Sequence, residues 1–280
     1  EVSNVLFDGV TFTATNGHIG ARSGGCLTFG EGRDSACFTF LSCTITGNQG
    51  PGSGGRHGIV GVKIYSSTIH PVSDISFVGC RFGTPASGGF NDMNIEIVND
   101  WTDGENNSDR GLAPCERFAL IDCVLEPAGG QAISFGSPGD IFALVSGCTF
   151  KGAGTDSRTP WHAVFEANST HYLNWRDSEV WNWDSTLFNL NGRTTDGVPY
   201  YDINPHLLFE RLKVDFAHTY QTPQGRGDSG IFGFGARSRV RIKDCVFNTG
   251  TAQICCDSAG TASPYWGATP NWRNCQYNDF

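Results

Sequence analysis

Residues 75–82 read Ile-Ser-Phe-Val-Gly-Cys-Arg-Phe, and this stretch decides the fold. Apolar residues alternate with other residues on both sides of a Gly-Cys pair. The same phrase occurs nine times: eight copies begin at Val5, Phe38, Ile75, Phe118, Ala143, Leu173, Leu207 and Val240, and the ninth, with a weaker first position, contains Trp272, Cys275 and Tyr277. Because alternation with period two is typical of strands, each copy predicts two short strands joined by a one-residue corner.

The corner is usually a turn former or a polar residue: Gly9, Ser42, Gly79, Asp122, Gly147, Asp177, Arg211, Asp244 and Asn274. The next position forms a column, which is Val10, Cys43, Cys80, Cys123, Cys148, Ser178, Leu212, Cys245 and Cys275. Neighbours in this column lie between 25 and 43 residues apart, and self-similarity at such a period indicates a solenoid.

A further apolar stretch lies between successive phrases. Its copies are Leu27–Phe29, Val62–Ile64, Ile95–Ile97, Ile133–Phe135, Ala163–Phe165, Phe188–Leu190, Phe232–Phe234 and Ile254–Cys256. Each turn of the solenoid, here called a coil, therefore supplies about three strands. The predicted fold is an all-β parallel β-helix of about nine coils in a single domain over residues 1–280, with equivalent residues of successive coils roughly 4.8 Å apart.

The segments ISFVGCRF (75–82), ALIDCVLE (119–126) and RIKDCVF (241–247) resemble the coil repeat of the right-handed parallel β-helix proteins of the pectate-lyase-like superfamily. The resemblance covers residues 4 to 278 and implies a right-handed coil. That superfamily includes polysaccharide lyases, glycoside hydrolases, epimerases, phage tailspike depolymerases and non-catalytic adhesins. The resemblance thus implies carbohydrate chemistry without fixing the reaction.

The charge balance argues against one class of partner. With a net charge of −9, the chain lacks the basic face that nucleic acid requires. No apolar run of about 20 residues predicts a membrane span. The repeat leaves few residues to cover the first and last coils, so we expect flanking domains or a homotrimer, and the start at Glu1 suggests an excised piece of a longer chain.

The cysteines of the column share their position with Val10 and Leu212, so we expect buried free thiols there rather than disulfides or zinc ligands. A bridge between Cys26 and Cys37, which lie outside the column, is an alternative for that pair.

Aromatic residues beside polar ones predict sugar contacts, because pyranose rings stack on aromatic faces while their hydroxyls form hydrogen bonds. The alternative is that these rings cap the edges of the core. Trp175 is expected in the core, whereas Trp181 and Glu179 are expected to face outward. The predicted substrate-binding residues are Trp101, Trp161, His162, Trp181, Asn189, Tyr200 and Tyr201.

In the apolar stretches that lie between successive phrases, polar residues stand between the apolar ones. These polar residues predict one outward row: Lys63, Glu96, Ser134, Glu166 and Asn189. Glu96 and Glu166 lie two coils apart, roughly 9–10 Å between backbones. This separation is compatible with the acid and base of an inverting glycosidase. The simpler interpretation is a half-exposed salt bridge between Lys63 and Glu96.

A β-eliminating lyase is the second catalytic possibility. Lys63 would abstract the proton, with its pKa lowered by its surroundings. Such a lyase also neutralises the substrate carboxylate, and Asp92, Glu96 and Asp100 could hold Ca²⁺ for that purpose; a hydrolase needs no cofactor.

The sequence therefore predicts a protein of the extracellular space or virion surface that binds and cleaves a polysaccharide. The rival prediction is a structural or adhesive shaft such as a tail-fibre or surface-filament segment. A Lys63–Asn189 row covered by a subunit interface, with no open groove, would favour it.

Overall fold

The computed structural model describes residues 2–14, 25–30, 34–47, 60–67, 69–86, 88–90, 93–99, 114–128, 131–135, 139–152, 164–167, 170–183, 187–190, 194–195, 198–199, 206–216, 230–234, 239–248, 253–256 and 276–278. Over these residues the regular structure is entirely β. Three parallel sheets and one two-stranded antiparallel pair account for every strand.

Sheet 1 has nine strands: β1 (Val2–Asp8), β4 (Ser35–Leu41), β7 (Val72–Val78), β10 (Cys115–Ile121), β13 (Gly139–Ser146), β16 (Thr170–Arg176), β21 (His206–Glu210), β24 (Arg239–Lys243) and β27 (Gln276–Asn278). Sheet 2 has eight: β2 (Thr11–Ala14), β5 (Thr44–Gly47), β8 (Arg81–Phe82), β11 (Val124–Leu125), β14 (Thr149–Lys151), β17 (Glu179–Trp183), β22 (Lys213–Phe216) and β25 (Val246–Asn248).

Sheet 3 also has eight strands: β3 (Gly25–Phe29), β6 (Val60–Ser66), β9 (Ile95–Asn99), β12 (Ile133–Phe135), β15 (Phe165–Ala167), β18 (Phe188–Leu190), β23 (Gly230–Phe234) and β26 (Gln253–Cys256). The antiparallel pair is β19 (Thr194–Thr195) with β20 (Val198–Pro199). The chain visits sheets 1, 2 and 3 in turn, and strands one coil apart pair in parallel. The predicted class, an all-β parallel solenoid, is confirmed.

The corner between sheets 1 and 2 is a single residue in the left-handed region. Its φ lies between 51° and 68° at Gly9, Ser42, Gly79, Asp122, Gly147, Asp177, Arg211 and Asp244. Glycine, aspartate and asparagine adopt this region at the lowest cost, which explains why six of these eight corners are glycine or aspartate. The predicted one-residue corner is confirmed at these positions.

Column cysteines make hydrogen bonds to main-chain carbonyl groups around the corner. The Cys80 thiol lies 3.3 Å from the Phe40 carbonyl oxygen and 3.5 Å from that of Val78. Ser178 replaces cysteine in one coil, and its hydroxyl donates to the Arg176 carbonyl at 2.8 Å. The column thiols of Cys43, Cys80, Cys123, Cys148 and Cys245 are free, as predicted. Cysteine and serine at this position donate a hydrogen bond to the main chain, whereas Val10 and Leu212 occupy the same position as apolar side chains without one.

Inward residues of all three sheets form one continuous core. Phe40 stacks on Phe7 with 4.9 Å between ring centroids and on Phe77 with 4.7 Å, because equivalent residues lie in register. Trp175 occupies the same line further along and is fully buried, as predicted. In the first coil, Val5 and its inward neighbours are only partly buried.

Three predicted registers are wrong. In sheet 3, Phe165 rather than Ala163 aligns with Ile133, which moves the apolar pair two residues along the chain. Cys255 rather than Ile254 aligns with Phe232. These two stretches have apolar residues at both competing registers, so period two alone does not choose between them.

The ninth copy is also displaced. Tyr277 pairs with Val240 at the start of the sheet 1 strand, not with Phe247 of sheet 2 as the phrase predicted. Cys275, the predicted column residue of this copy, lies outside the described residues. The weaker first position of this copy left its register undetermined.

The possible bridge between Cys26 and Cys37 does not form, since both thiols are free. Cys26 packs against the core from sheet 3, whereas Cys37 is exposed on sheet 1 with a φ of 59°. Side chains that point apart in this way cannot reach disulfide geometry.

Candidate functional site

An exposed indole on the outer face of sheet 2 marks the first candidate site. Trp181 lies in β17 and is 44% exposed. Its Nε1 donates to Glu179 Oε2 at 3.2 Å, and Glu179 Oε1 lies 3.2 Å from Lys213 Nζ. Both Trp181 and Glu179 lie on the outer side of β17, because Val180 between them points into the core. The indole is therefore oriented by its own strand.

Polar residues flank Trp181 along the solenoid axis. The register pairs Trp181 with Lys151 on one side and with Asp215 on the other, and Asp215 in turn pairs with Asn248. Asn248 Nδ2 donates to Asp215 Oδ1 at 3.2 Å. We call the set Lys151, Glu179, Trp181, Asp215 and Asn248 the Trp181 surface. Neighbours in the row are one strand spacing apart, about 4.8 Å.

A buried carboxylate closes one end of the Trp181 surface. Glu126 is 3% exposed, and its Oε1 accepts from Arg81 Nη1 and from Lys151 Nζ, the latter at 3.1 Å. Arg81 and Lys151 thus compensate the negative charge of Glu126. Such compensation is needed because a buried charge without a partner is strongly destabilising. Lys151 is consequently held in place rather than free to extend into solvent.

The predicted row on sheet 3 is in register but is more enclosed than expected. Lys63 pairs with Glu96, Glu96 with Ser134, Ser134 with Glu166, and Glu166 with Asn189. Lys63 is 6% exposed and Ser134 is 3% exposed. The outer side of sheet 3 therefore does not present an open row of polar groups at these two residues.

Lys63 and Glu96 form a largely buried ion pair. Lys63 Nζ lies 2.9 Å from Glu96 Oε2, with side-chain exposures of 7% and 13%. The pair is therefore more deeply buried than the half-exposed bridge the sequence suggested. Burial acts to lower the pKa of Lys63, but Glu96 and Tyr65 act in the opposite direction, and the pKa is raised. The lowered pKa expected of a lyase base is thus wrong.

Glu166 is engaged separately from Glu96. Its Oε2 accepts from Nε2 of Gln131, a residue that is 7% exposed. Ser134 stands between the two glutamates in the row, so two strand spacings, about 10 Å, separate their backbones. Each carboxylate contacts a different protein group.

Other predicted site residues lie outside the described ranges: Asp92, Asp100, Trp101, Trp161, His162, Tyr200 and Tyr201. Asn189 lies in β18 at the end of the row, opposite Glu166 and Gly233. Among the residues that the structure describes, no group of three or more His, Cys, Asp or Glu side chains could hold a metal ion.

Sequence reasoning missed Lys151, Asp215 and Asn248 as neighbours of Trp181. The signal was present in the repeat, because each of these residues follows its column position by three: Cys148, Ser178, Leu212 and Cys245 precede Lys151, Trp181, Asp215 and Asn248. Extending the aligned phrase by one outward position would have found the whole row.

No helix within the described residues is long and apolar enough to cross a membrane. Comparison with known proteins finds no matching family model, no matching curated protein and no matching solved structure. The fold and the chemistry of its surfaces therefore carry the functional argument.

Proposed function

We propose that this protein binds a polysaccharide and that the Trp181 surface is its principal contact. The observation that carries the proposal is the exposed, oriented indole of Trp181, whose Nε1 is hydrogen-bonded to Glu179 at 3.2 Å. A large aromatic ring gains little from solvent exposure, whereas it offers a stacking face to the C–H side of a pyranose ring. A β-strand within a sheet holds that face rigidly.

The polar neighbours supply hydrogen-bonding groups beside the ring. Asp215 and Asn248 lie in the same row, and Glu179 lies beside Trp181 on the same strand. The lysines nearby are already paired, Lys151 with Glu126 and Lys213 with Glu179. Because local charges are balanced in this way, the surface suits a neutral sugar chain better than a polyanion.

The coil repeat supports the same reading through its resemblance to the pectate-lyase-like superfamily, many of whose members act on polysaccharides. A location outside the cell or on a virion surface belongs to this proposal, since polysaccharide ligands of that kind lie there. Flanking domains or a homotrimer would cover the partly buried first coil.

Both candidate catalytic carboxylates have protein partners. Glu96 is held by Lys63 at 2.9 Å, and Glu166 accepts from Gln131. A β-elimination by Lys63, with Ca²⁺ on Asp92 and Asp100, is not retained because Lys63 keeps its proton more tightly than a free lysine. Hydrolysis by Glu96 and Glu166 is the catalytic version of the proposal that we retain for testing.

A structural or adhesive shaft is the second candidate function. The burial of Lys63 and Ser134 favours it, because an enclosed row offers no groove for a substrate at those positions. Uninterrupted sheets of nine, eight and eight strands also suit a part whose role is length and stiffness.

Affinity gel electrophoresis on a panel of neutral and acidic polysaccharides separates these functions. The proposal predicts retardation in at least one neutral polysaccharide gel. Retardation should be reduced in Trp181→Ala and preserved in Tyr172→Ala, whose ring is exposed on sheet 1. New reducing ends would support the hydrolytic version, and their loss in Glu96→Gln and Glu166→Gln would assign the residues. Retardation in no gel would favour the shaft.

A further inference from the structure

The outer face of sheet 1 carries a second surface, separate from the one around Trp181. The register places Phe142, Tyr172, His206 and Arg239 in one line across β13, β16, β21 and β24. A neighbouring line contains Leu144, Asn174, Leu208 and Arg241. Each line spans three strand spacings, about 14 Å.

These side chains face solvent. Phe142 is 39% exposed and Tyr172 is 38% exposed, and His206, Arg239 and Arg241 are exposed as well. We call Phe142, Tyr172, His206, Arg239 and Arg241 the Tyr172–Arg239 surface. Phe142 and Tyr172 place two aromatic rings one strand spacing apart on this face, and adjacent exposed apolar side chains are a feature of interaction sites.

Arg239, at one end of this surface, differs from the other basic residues of sheet 1. Elsewhere on that sheet and its corner, basic residues are matched by carboxylates: Arg117 with Asp74, Arg211 with Asp177, and Lys243 with Glu210. Arg239 has no ion pair with any carboxylate of the described residues. An unmatched arginine is notable in a chain whose net charge is −9.

Charge and ring together define the chemistry that the surface can recognise. A guanidinium binds a carboxylate or sulfate through two parallel hydrogen bonds. The rings of Tyr172 and Phe142, two and three strands away from Arg239, can stack against the apolar faces of the same sugar chain. Nucleic acid is disfavoured because the protein as a whole repels a phosphate backbone. An anionic lipid surface is disfavoured because the lines also contain the polar residues Asn174 and His206.

We propose that the Tyr172–Arg239 surface binds an anionic saccharide, meaning a chain that carries carboxylate or sulfate groups. Arg239 and Arg241 contact the anionic groups, and Tyr172 and Phe142 contact the rings. This site is independent of the Trp181 surface, which lies on another sheet and has balanced charge. The protein would then carry two saccharide contacts of different charge preference.

Isothermal titration calorimetry on the 280-residue chain tests the proposal with three probes: an oligogalacturonate for carboxylate, a heparin oligosaccharide for sulfate, and dextran as the neutral control. We expect binding of at least one anionic probe and weakening of that binding by added salt. The double variant Arg239→Gln/Arg241→Gln should weaken it by roughly tenfold or more, because each charge-assisted bond accounts for a several-fold change in affinity.

Matched controls distinguish this site from a general charge effect and from the proposed function. Lys213→Gln removes one positive charge from sheet 2 and should leave anionic binding within about twofold of wild type. Trp181→Ala should also leave it unchanged, so the two saccharide sites can fail separately. The proposal is overturned if neither anionic probe binds, if the double variant binds as wild type does, or if anionic vesicles bind while both anionic saccharides do not. Circular dichroism and urea midpoints verify that each variant is folded.

Discussion

Lys63 Nζ lies 2.9 Å from Glu96 Oε2 on neighbouring strands of sheet 3, and both side chains are largely withdrawn from water. A buried charge that loses its partner is left uncompensated, which costs far more than the loss of an exposed pair. The Lys63–Glu96 ion pair therefore stabilises the packing of two successive coils.

Glu96→Gln should therefore lower the free energy of unfolding by roughly 2–4 kcal/mol, somewhat below a fully buried pair because Glu96 keeps 13% exposure. The control is Glu179→Gln, which breaks the exposed Lys213–Glu179 pair of sheet 2 and should cost about 1 kcal/mol or less. Urea denaturation measures both. Equal losses in the two variants would show that the burial of the Lys63–Glu96 pair has no energetic effect.

The same pair predicts a dependence on alkaline pH. Because the pKa of Lys63 is raised in the folded protein, its contribution is complete below the unfolded pKa of about 10.4 and is lost as pH rises through the folded value. The stability difference between wild type and Lys63→Met should accordingly be larger at about pH 8 than above about pH 11. A difference that grows with alkaline pH would contradict the raised pKa.

Thiol reactivity should follow burial rather than cysteine number. Burial raises the pKa of Cys115 to about 12, and the Cys148 thiol together with burial raises that of Cys123 to about 12, whereas Cys37 is exposed. Since the thiolate is the reactive form, iodoacetamide at about pH 8 should modify Cys37 and spare Cys115 and Cys123 until the chain unfolds. Peptide mass spectrometry identifies the modified sites. Rapid native labelling of Cys123 would contradict the buried column.

Two glycines with similar backbone conformations should respond very differently to alanine. A Cβ on Gly30, at a φ of 82°, would lie 1.7 Å from the Tyr65 carbonyl oxygen, whereas a Cβ on Gly9, at a φ of 64°, meets nothing within 4 Å. We expect Gly9→Ala to cost about 1–2 kcal/mol from the left-handed conformation alone. Gly30→Ala should cost more than about 3 kcal/mol because the main chain must also move. Thermal or urea unfolding distinguishes the two, and similar losses would show that the close approach at Gly30 is absent.

Period two and the one-residue corner were enough to predict the parallel solenoid. Asp122 and Asp177 could be assigned to corners because aspartate, after glycine, is among the few residues that adopt the left-handed conformation. Trp175 could be assigned to the core because the register places it in line with Phe209 of the next copy.

The errors arose where one stretch allowed two registers. Ala163 and Phe165 are both apolar, as are Ile254 and Cys255, so alternation did not choose between them. Hydrogen bonding along the sheet decides the register, and a single sequence does not report it.

The candidate site was predictable only in part. The outward direction of Trp181 follows from its strand, but the burial of Lys63 depends on contacts with other coils, which alternation within one strand cannot report. The sign of the pKa shift of Lys63 likewise follows from a contact with a different coil, Glu96. Whether Lys63 forms an ion pair or acts as a general base depends on its distance from Glu96 in the next coil, which the residue types alone do not give.

Trp181 is proposed to present a stacking face to a polysaccharide. Isothermal titration calorimetry of wild type and Trp181→Ala, with the neutral polysaccharide that most retards the protein in gels, tests it most directly. Loss of one aromatic stacking contact worth about 1 kcal/mol should weaken binding by roughly fivefold or more, and Trp181→Phe should retain part of the affinity. Unchanged affinity in Trp181→Ala would contradict the account.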